Sequence, residues 1–166
     1  MTSRIIVLSL LLVSAAAAAE VVHGGCQVAV NVQSGPTASS DCELTTADRT
    51  LAAVPAATQL KIEYATANCT GPQAGEIAYV AILTRIGTKA AAQPAYLSLT
   101  RRANRSTVHT RYLASELVTL YAGGDTKVSI KLTLDPEVPT PLGPVTTCEV
   151  RFQGRLDPVE LAESKQ

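Results

Sequence analysis

Residues 127–134 alternate along their whole length. Val128, Ile130, Leu132 and Leu134 point one way; Lys127, Ser129, Lys131 and Thr133 point the other. A period of two marks a half-buried β-strand. The pattern recurs at the start of the chain, where Cys26, Val28, Val30 and Val32 oppose Gln27, Ala29, Asn31 and Gln33. It recurs again with Leu60, Ile62 and Tyr64 against Lys61 and Glu63, and over residues 145–152, where Cys148, Val150 and Phe152 share a face. Residues 77–86 are apolar on both faces, which predicts a central strand covered on both sides. Residues 96–101, 108–113 and 116–121 are short runs rich in strand formers. About eight strands are predicted in all.

Turn chemistry separates them: Ser34-Gly35-Pro36, Gly71-Pro72, Gln93-Pro94, Gly123-Gly124-Asp125, Asp135-Pro136 and Leu142-Gly143-Pro144. Gly123-Gly124 between Tyr121 and Lys127 reads as a hairpin. Helical signals are sparse. Residues 45–53 suit a short helical turn before Pro55. Asp157-Pro158 suits an N-cap and first helical position, followed by a brief helix or a frayed tail.

Many short strands without helices predict an all-β fold: an antiparallel β-sandwich, immunoglobulin-like or related and stabilised by disulfides. A closed β-barrel is the alternative, because both architectures alternate inward and outward residues. The chain has no tryptophan. The immunoglobulin signature of a buried Trp on an inter-sheet disulfide is therefore incomplete.

Residues 1–19 change how the cysteines are read. Arg4 precedes a short apolar run, IIVLSLLLV, and Ala17-Ala18-Ala19 offers a small-x-small cleavage site before Glu20. This is the pattern of a secretory signal peptide. The run is shorter than the roughly 20 residues a spanning helix needs. The expected organisation is a signal at 1–19, one sandwich domain at 20–156, and a tail or short helix at 157–166. Export implies a secreted protein, extracellular or, in a bacterium, periplasmic. No membrane span is expected in the mature chain.

In an exported chain, Cys26, Cys42, Cys69 and Cys148 predict two disulfides, with three connectivities open. Cys26 and Cys148 both lie on apolar strand faces, which permits a core bridge between them. No pair has C-x-x-C spacing, and nothing near His23 and Cys26 completes a ligand set, so no metal site is predicted. Cleavage after Glu20 instead of Ala19 would make His23 the third residue, a position that can hold Cu(II) with the terminal amine.

Charge and motifs exclude more than they identify. Fourteen Lys and Arg face fourteen Asp and Glu, and loss of Arg4 leaves the mature chain slightly negative. Neither nucleic acid nor an anionic membrane is expected to attract such a chain. No G-x-S-x-G or H-E-x-x-H is present, His23 and His109 stand outside any nucleophile motif, and no cofactor site is legible. Arg101, Arg102, Arg105 and Arg111, with His109, form the main basic concentration: a patch for an acidic glycan or acidic protein surface, or a solvated hairpin tip. Asn68-Cys69-Thr70 and Asn104-Arg105-Ser106 are N-glycosylation sequons. Of the few aromatic residues, Tyr79 and Phe152 are expected in the core, leaving little for a carbohydrate platform.

The expected function is that of a secreted, non-enzymatic β-sandwich acting in protein–protein interaction or extracellular assembly, with another protein as partner. A carrier of a small apolar ligand is one alternative, since Ala and Val at inward positions could leave a cavity. An exported surface-fibre subunit is another, although the stretch before Gly24-Gly25 is short for a donor strand.

Overall fold

Burial alternates residue by residue along the first strand, with Val22, Gly24, Cys26, Val28 and Val30 turned inward and the residues between them exposed. The computed structural model describes residues 19–31, 35–71, 76–102, 109–138 and 145–159. Every regular element in them is a strand: β1 (Glu20–Val30), β2 (Thr37–Asp41), β3 (Glu43–Thr45), β4 (Thr50–Leu51), β5 (Thr58–Gly71), β6 (Ile77–Thr84), β7 (Gln93–Leu97), β8 (Thr100–Arg102), β9 (Thr110–Gly123), β10 (Ser129–Leu134) and β11 (Thr146–Pro158). The expectations for residues 1–18, 32–34, 142–144 and 160–166, and for Pro72, Asn104, Arg105 and Val108, lie outside the described residues.

Two antiparallel sheets form. The larger has the order β4-β3-β1-β11-β5-β9-β8, and the smaller β2-β10-β6-β7. β1 lies against β10 and β2, and β9 against β6 and β7. The inward residues of both sheets make one apolar cluster, including Val22, Val28, Leu60, Ile62, Val80, Ile82, Ile130, Leu132, Val150 and Phe152. This is a sandwich, as the period-two pattern predicts; no barrel closes.

Two strands switch sheets at corners. β2 leaves the smaller sheet at Cys42 and continues as β3 in the larger. The Cys42 N–H donates to Val128 O at 2.9 Å, and a disulfide ties Cys42 to Cys26 of β1. On the opposite side, β7 leaves the smaller sheet at Ser98–Leu99 and continues as β8. Glu116 of β9 holds that corner, accepting from the Ser98 N–H at 2.6 Å and from Ser98 Oγ at 3.3 Å. Both edges of the smaller sheet are therefore hooked into the larger one.

Several sequence expectations change. Residues 45–53 form no helix: they close the β3–β4 hairpin, with the Thr46 N–H on Arg49 O at 2.9 Å. Asp157 and Pro158 are the last residues of β11, paired with Gln59 and Thr58. Residues 96–101 split between β7 and β8, whereas residues 110–113 and 116–121 join in the single strand β9. Gly123-Gly124-Asp125 is a turn but not a hairpin, because β9 and β10 belong to different sheets. Gly123 packs on the backbone, where an added Cβ would lie 2.1 Å from Ile86 O. Asp125 takes a φ of 60°, a conformation Asp tolerates better than most residues.

The core bridge joins Cys69 to Cys148, not Cys26 to Cys148. Cys69 and Cys148 stand directly opposite on neighbouring strands of one sheet. Cys26 is two positions from Val28, the residue that faces Cys148, and turns to the corner instead. Tyr79 is another correction. It lies half-buried on the outer face of the smaller sheet, edge-on to Tyr96 with ring centroids 5.3 Å apart. Those rings flank Ala81, which is buried, so β6 is covered by side chains and not by a third layer. Phe152 is in the core, as expected.

Candidate interaction face

The larger sheet has one face on the core and one outside. Its outer face can be read row by row from strand register, because directly opposed residues share a face. One row runs Val21, Arg155, Lys61, Tyr121 across β1, β11, β5 and β9. The next runs Thr45, His23, Gln153, Tyr64, Leu117 from β3 to β9. A third runs Glu43, Gly25, Arg151, Thr66, Ser115. The last two rows on the described strands are Gln27, Glu149, Asn68, Leu113, Thr100 and Ala29, Thr147, Thr70, Arg111, Arg102.

The most exposed large apolar residues of this face lie in the first two rows. Val21 is 50% exposed, Tyr64 39%, Tyr121 37% and Leu117 86%. Bulges at this point explain why. Glu63 is an extra residue of β5 relative to β11, and β9 places Val118 and Thr119 against that single position. Bulges increase local twist and re-aim side chains. Beside Leu117 the lane next to β9 is empty among the described strands, because β8 pairs only with Arg111, Tyr112 and Leu113.

Polar groups fix the aromatic rings and the charges around them. Tyr64 Oη and Ser115 Oγ are 2.5 Å apart across β5 and β9. Lys61 Nζ lies 2.8 Å from Glu63 Oε1, and Arg155 approaches both Glu63 and Asp157. The hydrogen bond from Lys61 first, and the charges of Lys61 and Arg155 with it, hold the Glu63 carboxyl below the ordinary carboxylate range. Two shallow clefts indent the face on either side of Arg151. One, about 160 Å³, is lined by His23, Tyr64, Thr66, Arg151, Phe152 and Gln153. The other, about 420 Å³, is lined by Gly25, Cys26, Gln27, Glu149 and Arg151. Gly25 opens this dent: a Cβ there would meet nothing within 4 Å.

The residues singled out by the sequence fall into four groups. The four cysteines form Cys26–Cys42 and Cys69–Cys148, and none is free. Asn68 is in mid-sheet, not on a loop, and its Oδ1 accepts from Arg111 Nε at 2.9 Å. Arg101, Arg102 and Arg111 do come together, at the β8–β9 edge, with exposed His109 just before β9. His23 is paired on both sides, to Gln153 and to Thr45. Its strand amides are thus committed to the ladder that an amino-terminal Cu(II) site would have to break.

The exposed rows around Leu117 went unread in the sequence. Leu117 and Val118 sit in a stretch, ELVTLY, whose alternation is blurred by the bulge.

A further cleft, about 370 Å³, lies at one end of the sandwich between Asp41, Arg85, Asp125 and Lys127. Lys127 Nζ and Asp41 Oδ2 pair there at 2.6 Å. Among the described residues no three His, Cys, Asp or Glu side chains cluster as a metal site would require, and no described helix is long and apolar enough to cross a membrane. Compared with known proteins, the chain matches no protein-family model and no curated protein.

Proposed function

We propose that this chain is an exported, non-enzymatic β-sandwich that binds another protein through the outer face of its larger sheet. The observation that carries the reading is the group Val21, Tyr64, Leu117 and Tyr121. Four apolar residues share two neighbouring rows of a solvent-facing sheet, and Leu117 is 86% exposed. Exposed contiguous apolar surface rimmed by polar residues marks interaction sites. Here Tyr64, Leu117 and Tyr121 adjoin across β5 and β9, and the charged Lys61 and Arg155 stand between them and Val21.

Export is part of the same proposal. The leader pattern ends at Ala19, and β1 begins at Glu20, the residue after the expected cut. Two disulfides suit an oxidising compartment. Glycosylation at Asn68 would compete with the Arg111 contact and would stand on this same face.

A photo-reactive residue at position Leu117 tests the reading in the secreting host. A discrete protein adduct is expected from that position and none from Ser39 on the smaller sheet. Leu117→Asp should weaken the captured complex roughly ten- to a hundredfold, the equivalent of burying one leucine. Equal adducts from both positions, or none from Leu117, would overturn it.

A further inference from the structure

Arg102 and Arg111 are directly opposed on β8 and β9. Both are exposed on the outer face. Like charges in that position repel. Arg49, Arg151 and Arg155 each have a carboxylate partner; Arg101, Arg102 and Arg111 make no ion pair among the described residues. Arg111 is instead oriented by Asn68. The nearest acid along β9, Glu116, is spent on Ser98.

β8 is also the terminal strand of its sheet. Its outer backbone groups have no strand partner among the described residues, and all three of its residues are exposed. Register puts Arg102 on the outer face with Arg111, and Arg101 on the other face with Tyr112. A short charged edge deters unwanted pairing. Deterrence accounts for Arg101 and Arg102, but it does not call for Arg111 on the second strand, where it opposes Arg102.

We propose that the β8 edge receives an extended acidic segment of the partner protein as an added strand. Adjacent acidic residues on that segment point to opposite faces. One would meet Arg102 and Arg111 on the outer face, and the next would meet Arg101 on the other. Backbone hydrogen bonds supply affinity in strand addition, and side chains supply selection. A polysaccharide could use the guanidinium groups but has no amide backbone with which to extend the sheet. This inference rests on the reading that the partner is a protein, and gives that partner its charge. The apolar rows begin about 20 Å further along β9, at Leu117, so one partner could cover both.

The test is an NMR titration of the oxidised, ¹⁵N-labelled mature protein. The probe is a synthetic octapeptide with a central Asp–Glu pair flanked by β-branched residues. Amide shifts should centre on Thr100, Arg101 and Arg102. Arg101→Gln and Arg102→Gln should each weaken binding about fivefold, as should an Asn–Gln version of the peptide, while Arg102→Lys retains more affinity. No β8 shifts at millimolar peptide, or equal binding of the Asn–Gln peptide, would overturn the inference. So would dextran sulfate binding the same arginines more tightly while β8 amides stay unmoved, which would make the corner a polysaccharide site. The crosslinking at Leu117 is read separately, so failure of the acidic strand and failure of the protein-binding face are distinguishable.

Discussion

Gly24 of β1 faces Phe152 of β11 across the inner side of the larger sheet, and the ring occupies the space a side chain would take. A Cβ on Gly24 would lie 2.0 Å from Phe152 Cζ. Glycine is usually a weakness in a strand, for it adds no packing. Here its missing side chain lets the chain's sole phenylalanine lie flat on the neighbouring backbone. Gly24→Ala should therefore destabilise by about 1–3 kcal/mol, the range for overpacking a filled core. Denaturant unfolding measures it. Phe152→Leu should cost less in the Gly24→Ala background than in the parent, because the two changes relieve each other. Additive costs would show that the ring and the glycine do not compete for one volume.

The two disulfides should differ in worth. Cys69–Cys148 spans 79 residues and Cys26–Cys42 spans 16. If each acts by restricting the unfolded chain, removing them costs about 4.5 and about 3 kcal/mol. Paired Cys→Ala variants compared by denaturant midpoint check the order. Their local effects should differ too. Loss of Cys26–Cys42 frees the β2–β3 corner, so hydrogen exchange should quicken around Cys42 and Leu44 while β5 and β11 stay protected. Protection lost equally throughout would show that the corner is not an independent unit.

Glu63 should titrate low. Its folded carboxyl is depressed by Lys61, chiefly through their hydrogen bond, with Arg155 assisting. A depressed acid binds its proton less well folded than unfolded. Its contribution to stability is therefore present above the ordinary glutamate range and fades as pH falls through the lowered folded value. The pair is solvent-exposed, so the effect belongs to the titration curve more than to global stability. NMR of the Glu63 side chain should show the low midpoint, and Lys61→Met should move it up. An unchanged midpoint in Lys61→Met would remove Lys61 as the cause.

Sequence alone missed β2, β3 and β4. It set Tyr64 inward with Leu60 and Ile62, where the bulge at Glu63 turns it outward. What it determined was the longer alternating strands and the fold class. That information is local, because a period of two places Val128, Ile130 and Leu132 on one side regardless of what covers them. It also picked out the cysteines, the sequons and the basic run, since these are matters of residue type and spacing. Tertiary structure decided everything that depends on which strands become neighbours. Cys69 meets Cys148 because β5 pairs with β11 in that register. The same alternation would have served a barrel; corners at Cys42 and at Ser98–Leu99, held by a disulfide and by Glu116, made it two hooked sheets instead. Arg102 opposes Arg111, and Leu117 stands beside Tyr64, for the same reason. Register is a long-range property set by packing and bulges, and single-residue shifts at Glu63 and Val118 are invisible to any periodic reading of the chain.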